Sequence, residues 1–172
     1  MTTAPAGFAE FYNAEYLRVV LFLRKQGASW EDAWDAMQTA FLKAMRRWSE
    51  IDSPRAWVRA TASRAYGRAQ YRVVEDRDRA SRSDWVMPDW FDPTAIPEEE
   101  NRVIEAITSL PFRQRQVMAW HYDGYTNQEI AQILGITPED VASNLYQGRR
   151  RLRTWVDQQP GLSSVARIGG AR

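Results

Sequence analysis

Residues 126–150 read TNQEIAQILGITPEDVASNLYQGRR, and this stretch decides the fold. Thr126-Asn127-Gln128-Glu129 is a capping box: a threonine hydroxyl that can accept from first-turn amides, with a glutamate three residues on to reach back. Ile130, Ala131, Ile133 and Leu134 then give a short apolar face, and Gly135 supplies the left-handed residue that stops a helix. Thr137-Pro138-Glu139-Asp140 starts a second helix with an N-cap, a proline at the first helical position and two acids at the positive end of the dipole. Val141 and Leu145 belong to its inner side; Ser143, Asn144, Gln147, Arg149 and Arg150 are left to face out. Two helices across a glycine turn, the second long and polar-faced, form the helix-turn-helix pattern, in which the second helix enters the major groove.

Upstream, apolar periodicity predicts two further helices, about 98–109 and 112–122, so four helices form one small domain over 98–157. Residues 75–97 lose periodicity and gain Pro88, Pro93, Pro97 and many acids, which predicts a linker, although Trp85, Trp90 and Phe91 suit a segment that rests on something. Before it lies another helical block, 8–74. Its first helix runs from Phe8 to about Arg24. A second follows the N-cap Ser29, with the stripe Trp30, Ala33/Trp34, Met37, Phe41, Ala44/Met45 and Trp48. A third runs from Ser53-Pro54 to about Val73. Residues 158–172, with three glycines, read as a flexible tail. No strand-like alternation competes, so the fold class is all-α: two small helical domains joined by an acidic linker.

Composition sets the outer bounds. Hydrophobic residues make up 44% of the 172 and eight are tryptophan, enough for real cores. The longest apolar run, Val19–Leu23, is far short of the roughly 18 residues a membrane span needs. Met1–Gly7 has neither the basic nor the apolar part of a secretory signal, and the chain has no cysteine, so a cytoplasmic protein without membrane attachment is expected. Residues 1–80 and 101–172 each carry a net +3, and residues 81–100 carry −5. Two mildly basic blocks flanking an acidic bridge point to separate partners for the two blocks. Enzymatic chemistry finds no footing: there is no thiol, no glycine-rich phosphate loop and no metal-ligand cluster, so neither cofactor nor metal is expected. His121, the only histidine, stands between Trp120 and Tyr122 at a helix end and reads as structural.

Leu110-Pro111-Phe112-Arg113-Gln114-Arg115-Gln116-Val117, then Tyr122-Asp123-Gly124-Tyr125-Thr126, Glu129-Ile130-Ala131, Leu134-Gly135-Ile136 and Val141-Ala142-Ser143 resemble region four of the extracytoplasmic-function (ECF) sigma factors. Asp32-Ala33-Trp34-Asp35 with Gln38, Phe41, Leu42 and Lys43 resembles region two, and Arg55-Ala56-Trp57-Val58 resembles its following helix. The resemblance implies a promoter-specificity subunit with core RNA polymerase and promoter DNA as partners, an anti-sigma factor as a further one, and a monomer when free. It places Asp35 and Gln38 at the polymerase clamp, with Met37, Phe41 and Trp57 in the core. It puts the minus-ten element against the loop residues Trp48, Ser49 and Asp52, without singling out which captures a flipped base, and against Arg55, Arg59, Arg64, Arg68 and Arg72. Those arginines, with Tyr66 and Tyr71 among them, form a cationic and aromatic strip suited to unstacked bases. It puts the minus-thirty-five element against Arg113, Thr126, Asn127, Pro138, Ser143, Asn144, Gln147, Arg149 and Arg150. The acidic linker stands where the family's connector threads toward the active-site cleft; a plain spacer fits its composition as well. Departures fall at Trp34, where glutamate is usual, at Arg64, where asparagine is common, and at Ala142, Asn144 and Gln147, where basic residues are frequent. Those last three weaken the helix's basicity, which is the feature that suits a second reading: a degenerate sigma-like regulator acting mainly through protein binding.

Overall fold

Local signals fix where each helix begins and ends. In the computed structural model, which describes residues 5–75 and 86–158 and the side chains of all of these but 70–75, the elements are helical. They are α1 (Phe8–Lys25), α2 (Trp30–Arg46), α3 (Pro54–Glu75), α4 (Glu98–Thr108), α5 (Phe112–Tyr122), α6 (Asn127–Leu134) and α7 (Pro138–Asp157). Ser29 caps α2 by accepting from the Asp32 amide at 3.0 Å. No strand occurs among the described residues. Within them the chain divides into two compact units, the first made of residues up to 24 and from 28 to 89, the second of residues 25–27 and those from 90 on.

The first unit is built on α2. Ala33, Trp34, Met37, Ala40, Phe41 and Ala44 line its buried face and meet Val58, Ala62 and Tyr66 of α3. From α1, Phe8 and Tyr12 set their rings edge-on to Phe41, at centroid distances of 6.3 and 5.0 Å. Tyr12 and Tyr16 stack, and Tyr16 leans on Trp34 at 6.1 Å. Trp34 is only 2% exposed, which accounts for its departure from the usual glutamate: here that position is a core position filled by an aromatic slab. Met37 and Phe41 are core, as expected from their place on the stripe.

The second unit starts earlier than the expected boundary at 98. Asp92 caps a 3-10 turn, Pro93–Ala95, by accepting from the Thr94 amide at 2.8 Å, and Ile96 is buried. The expected linker 75–97 therefore contributes its last residues to this unit, and α3 reaches Glu75. The remainder of that linker, 76–85 with Trp85, lies outside the described residues, as does the expected tail beyond Gln158. Val103, Ile104, Ile107, Leu110, Val117, Met118, Trp120, Ile130, Val141, Leu145 and Leu152 make the core. Gly148 sits in the middle of α7, where glycine costs about 1 kcal/mol of helix propensity. Its position explains it: a Cβ there would lie 3.0 Å from the Met118 methyl and 3.6 Å from Leu110.

Candidate nucleic-acid interface

The two helices of the motif are held by reciprocal caps. The Glu129 amide donates to the Thr126 hydroxyl at 3.3 Å while the Thr126 amide donates to the Glu129 carboxylate at 2.8 Å. Thr137 and Asp140 repeat the arrangement at 3.0 and 3.3 Å. Between them Gly135 takes φ of 66°, a conformation that favours glycine, and the chain turns into α7 with Pro138 at its first position. α7 has 20 residues, about 30 Å of helix, long enough to lie along a major groove.

Its polar side chains are not equally free. Ser143 and Gln147 are exposed, yet they are already organised: Gln147 donates to the Ser143 hydroxyl at 3.3 Å and accepts from buried Gln114 of α5 at 3.0 Å. Asn144 is half-buried and turned back on its own helix, donating to the Asp140 carbonyl at 2.8 Å. Arg149 is half-buried as well, 2.9 Å from the Nε2 of His121, while Arg150 is exposed. The expectation that all five point outward is therefore corrected for Asn144 and Arg149, which are half-buried, Asn144 folded back on its own helix and Arg149 against His121 of α5. Tyr146, missed in the sequence, is 70% exposed between Ser143 and Arg150. A large aromatic on an otherwise polar face was its signal. Arg113, Thr126 and Pro138 are exposed and Asn127 is half-exposed; Arg113 bonds Gln116 at 3.0 Å. A groove of about 1020 Å³ opens beside α7, lined by Thr126, Asn127, Ala142, Arg149, Arg150 and Arg153 among others, with no acid on its walls.

In the first unit the expected cationic strip splits in two. From Arg59 to Arg64 the helix turns by about 140°, so the two cannot share a face. Arg64 and Arg68 are exposed; the Arg72 side chain lies outside the described ones. Arg59 is 1% exposed and bonds the buried Glu15 carboxylate at 2.9 Å. Arg55 and Arg18 approach the same carboxylate at 3.3 and 3.1 Å. Burial alone would raise the Glu15 pKa, but the Arg59 bond and the charges of Arg59, Arg55 and Arg18 together hold it below its ordinary value. Arg59 thus ties α3 to α1 as a buried cation and, unlike Arg64 and Arg68, presents no exposed surface. Among the loop residues, Ser49 and Asp52 are exposed. Trp48 is pinned: its indole N–H donates to the Ala6 carbonyl at 3.0 Å, and its ring meets Phe8 and Phe11 at 5.2 and 5.1 Å.

Asp35 and Gln38 are exposed on the side of α2 opposite its core. Burial first, then Glu31 and Asp32, raise the Asp35 pKa. Leu42, 54% exposed, extends the same i, i+3, i+7 face and was also missed, although an apolar residue on a polar stripe is readable from spacing.

Residues 100–152, which hold α5, α6 and most of α7, match the family model for Sigma-70, region 4. Over 164 residues the chain is 29% identical to the ECF RNA polymerase sigma factor SigK of Mycobacterium ulcerans, covering 87% of this chain and 86% of that one. Along most of its length the chain is similar to ECF sigma factors. A second relative, the probable RNA polymerase sigma factor RfaY of Xanthomonas campestris pv. campestris, is 27% identical over 131 residues. That match takes in 69% of this chain but only 32% of RfaY, about a third of its length. The fold agrees with two solved structures. One is the sigma factor RpoE in complex with the anti-sigma factor NepR from Bartonella quintana, with TM-score 0.64, 17% identity, and 87% and 96% of the two chains covered. The other is CnrH in complex with the cytosolic domain of CnrY, with TM-score 0.61, 20% identity and 88% of each covered.

Proposed function

We propose that this chain binds core RNA polymerase and directs it to particular promoters, acting in the cytoplasm and carrying out no chemistry of its own. The observation that carries the reading is the doubly capped helix-turn-helix whose second helix presents a polar outer face around Ser143, Tyr146, Gln147 and Arg150, beside a groove with no acid among its lining residues. In this reading 98–157 acts as region four on the minus-thirty-five element. Arg113, Thr126, Asn127, Arg149 and Arg150 hold phosphates, Pro138 sets the start of the helix against the backbone, and Ser143, Asn144 and Gln147 read base edges. Residues 8–74 act as region two. Asp35, Gln38 and Leu42 meet the polymerase, while Arg64, Arg68 and Arg72, with the loop Trp48, Ser49 and Asp52, receive the melted minus-ten strand, and Arg55 stands on the other face of α3 beside Glu15. An anti-sigma factor is the fitting regulator, since RpoE is found with NepR.

Run-off transcription tests it. The chain is combined with core RNA polymerase on a genomic DNA library, and discrete transcripts dependent on the chain are expected. Stable polymerase binding without any selective initiation would favour the other reading, a sigma-like regulator working through protein contacts. No polymerase binding at all would sink both.

A further inference from the structure

His121 lies on α5 and Arg149 just past the middle of α7, both line the groove, and their contact, Nη2 to Nε2, is 2.9 Å. A guanidinium has donors only, so Nε2 must accept, and the ring is neutral with its proton on Nδ1. Nδ1 is buried without a hydrogen-bond partner, so nothing but Arg149 fixes that tautomer. Burial and the Arg149 charge lower the His121 pKa, in keeping with a neutral ring.

The choice of acceptor has an electrostatic consequence. A carboxylate would orient the arginine and also cancel its charge, as Glu15 does for Arg59. A neutral imidazole orients it and cancels nothing. Arg149, Arg150 and Arg153 line the groove together with Thr126 and Asn127 at the start of α6, and none of the three is paired with a carboxylate among the described residues. A long cationic side chain left unheld would lose rotamer entropy on meeting a phosphate; one already held loses less.

We infer that His121 is a positioning residue for DNA binding: as a neutral acceptor it holds Arg149 at the wall of this groove with its full charge available to a backbone phosphate. The inference rests on the promoter-binding reading and names a residue that reading leaves structural.

The test uses the full chain with core RNA polymerase and a duplex that the wild-type chain selects from a randomised pool. His121→Leu removes the acceptor, and His121→Gln keeps one; His121→Met replaces the leucine variant if that one fails to fold. His121→Leu is expected to weaken binding by about three- to ten-fold and to lower the salt slope by up to about 0.9, the share of one phosphate contact. His121→Gln should stay within about two-fold of wild type, and in an Arg149→Ala background His121→Leu should have no further effect. A general loosening of the domain would instead weaken binding in both backgrounds, which overturns the inference, as would equal effects of the leucine and glutamine variants. If the wild-type chain selects no duplex, the promoter reading falls and this one with it; if it does and His121→Leu matches wild type in affinity and slope, only this one falls.

Discussion

Glu15 is the residue on which the first unit turns. One buried carboxylate accepts from Arg59 and faces Arg18 and Arg55, so removing its charge leaves a buried guanidinium uncompensated. Breaking one side of such a pair is destabilising by about 3–5 kcal/mol. Glu15→Gln and Arg59→Ala are each expected to lower unfolding free energy by an amount near the lower end of that range, measured by urea titration without DNA or polymerase. A role for Arg59 in holding a DNA strand would leave free-protein stability untouched. The sign with pH follows from the lowered pKa. The folded state favours the ionised carboxylate, so its stabilisation is complete above the unfolded-state pKa and is lost as pH falls through the folded one. Glu15→Gln should flatten the acid limb of stability against pH. None of this was legible in the sequence. An arginine every few residues looks like one strip, and nothing in α3 announces that a carboxylate 44 positions earlier meets only one face of it.

At the scale of the element, the helix ends were the most legible feature, because caps are local chemistry. Ser29, Thr126 and Thr137 each accept from the amide three residues on, and Gly135 stops α6 in the left-handed conformation. What spacing could not give was how far each polar side chain of α7 is covered: Asn144 and Arg149 are half-buried and Tyr146 is exposed. Asn144 is half-buried and folded back on the Asp140 carbonyl, whereas Ser143 and Gln147 are exposed on the outer face and held there by Gln114. Gln147→Ala is therefore expected to change base preference at one or two pairs more than Asn144→Ala does, measured by selection from a randomised pool with core polymerase. The opposite order would show that Asn144 turns outward on DNA. Charge belongs to the same element. Ala142 is exposed on the groove wall beside the arginines. Ala142→Lys should tighten binding to many sequences alike and steepen the salt slope by about 0.9, since a phosphate contact carries no sequence information.

For the whole molecule, the two units differ in the charge and make-up of their exposed faces. The α2 face of Asp35, Gln38 and Leu42 combines an acidic end, shared with Glu31 and Asp32, with one apolar side chain. That is the make-up of a protein interface, a desolvated anchor beside charges that steer encounter. The α7 face is polar and cationic, the make-up of a DNA interface. Asp35 and Arg150 belong to different units. Substitutions that share no partner add, within about 0.3–0.5 kcal/mol. Asp35→Arg is thus expected to weaken core polymerase binding while changing stability by no more than about 0.5 kcal/mol, as an exposed residue should. Arg150→Ala should leave polymerase affinity unchanged and lower the salt slope of promoter binding by about 0.9. In the double variant each measured loss should equal that of its single variant. Coupling beyond about 0.5 kcal/mol would mean that polymerase binding reorganises the DNA-binding unit, so that the two surfaces act as one device and not as two independent grips.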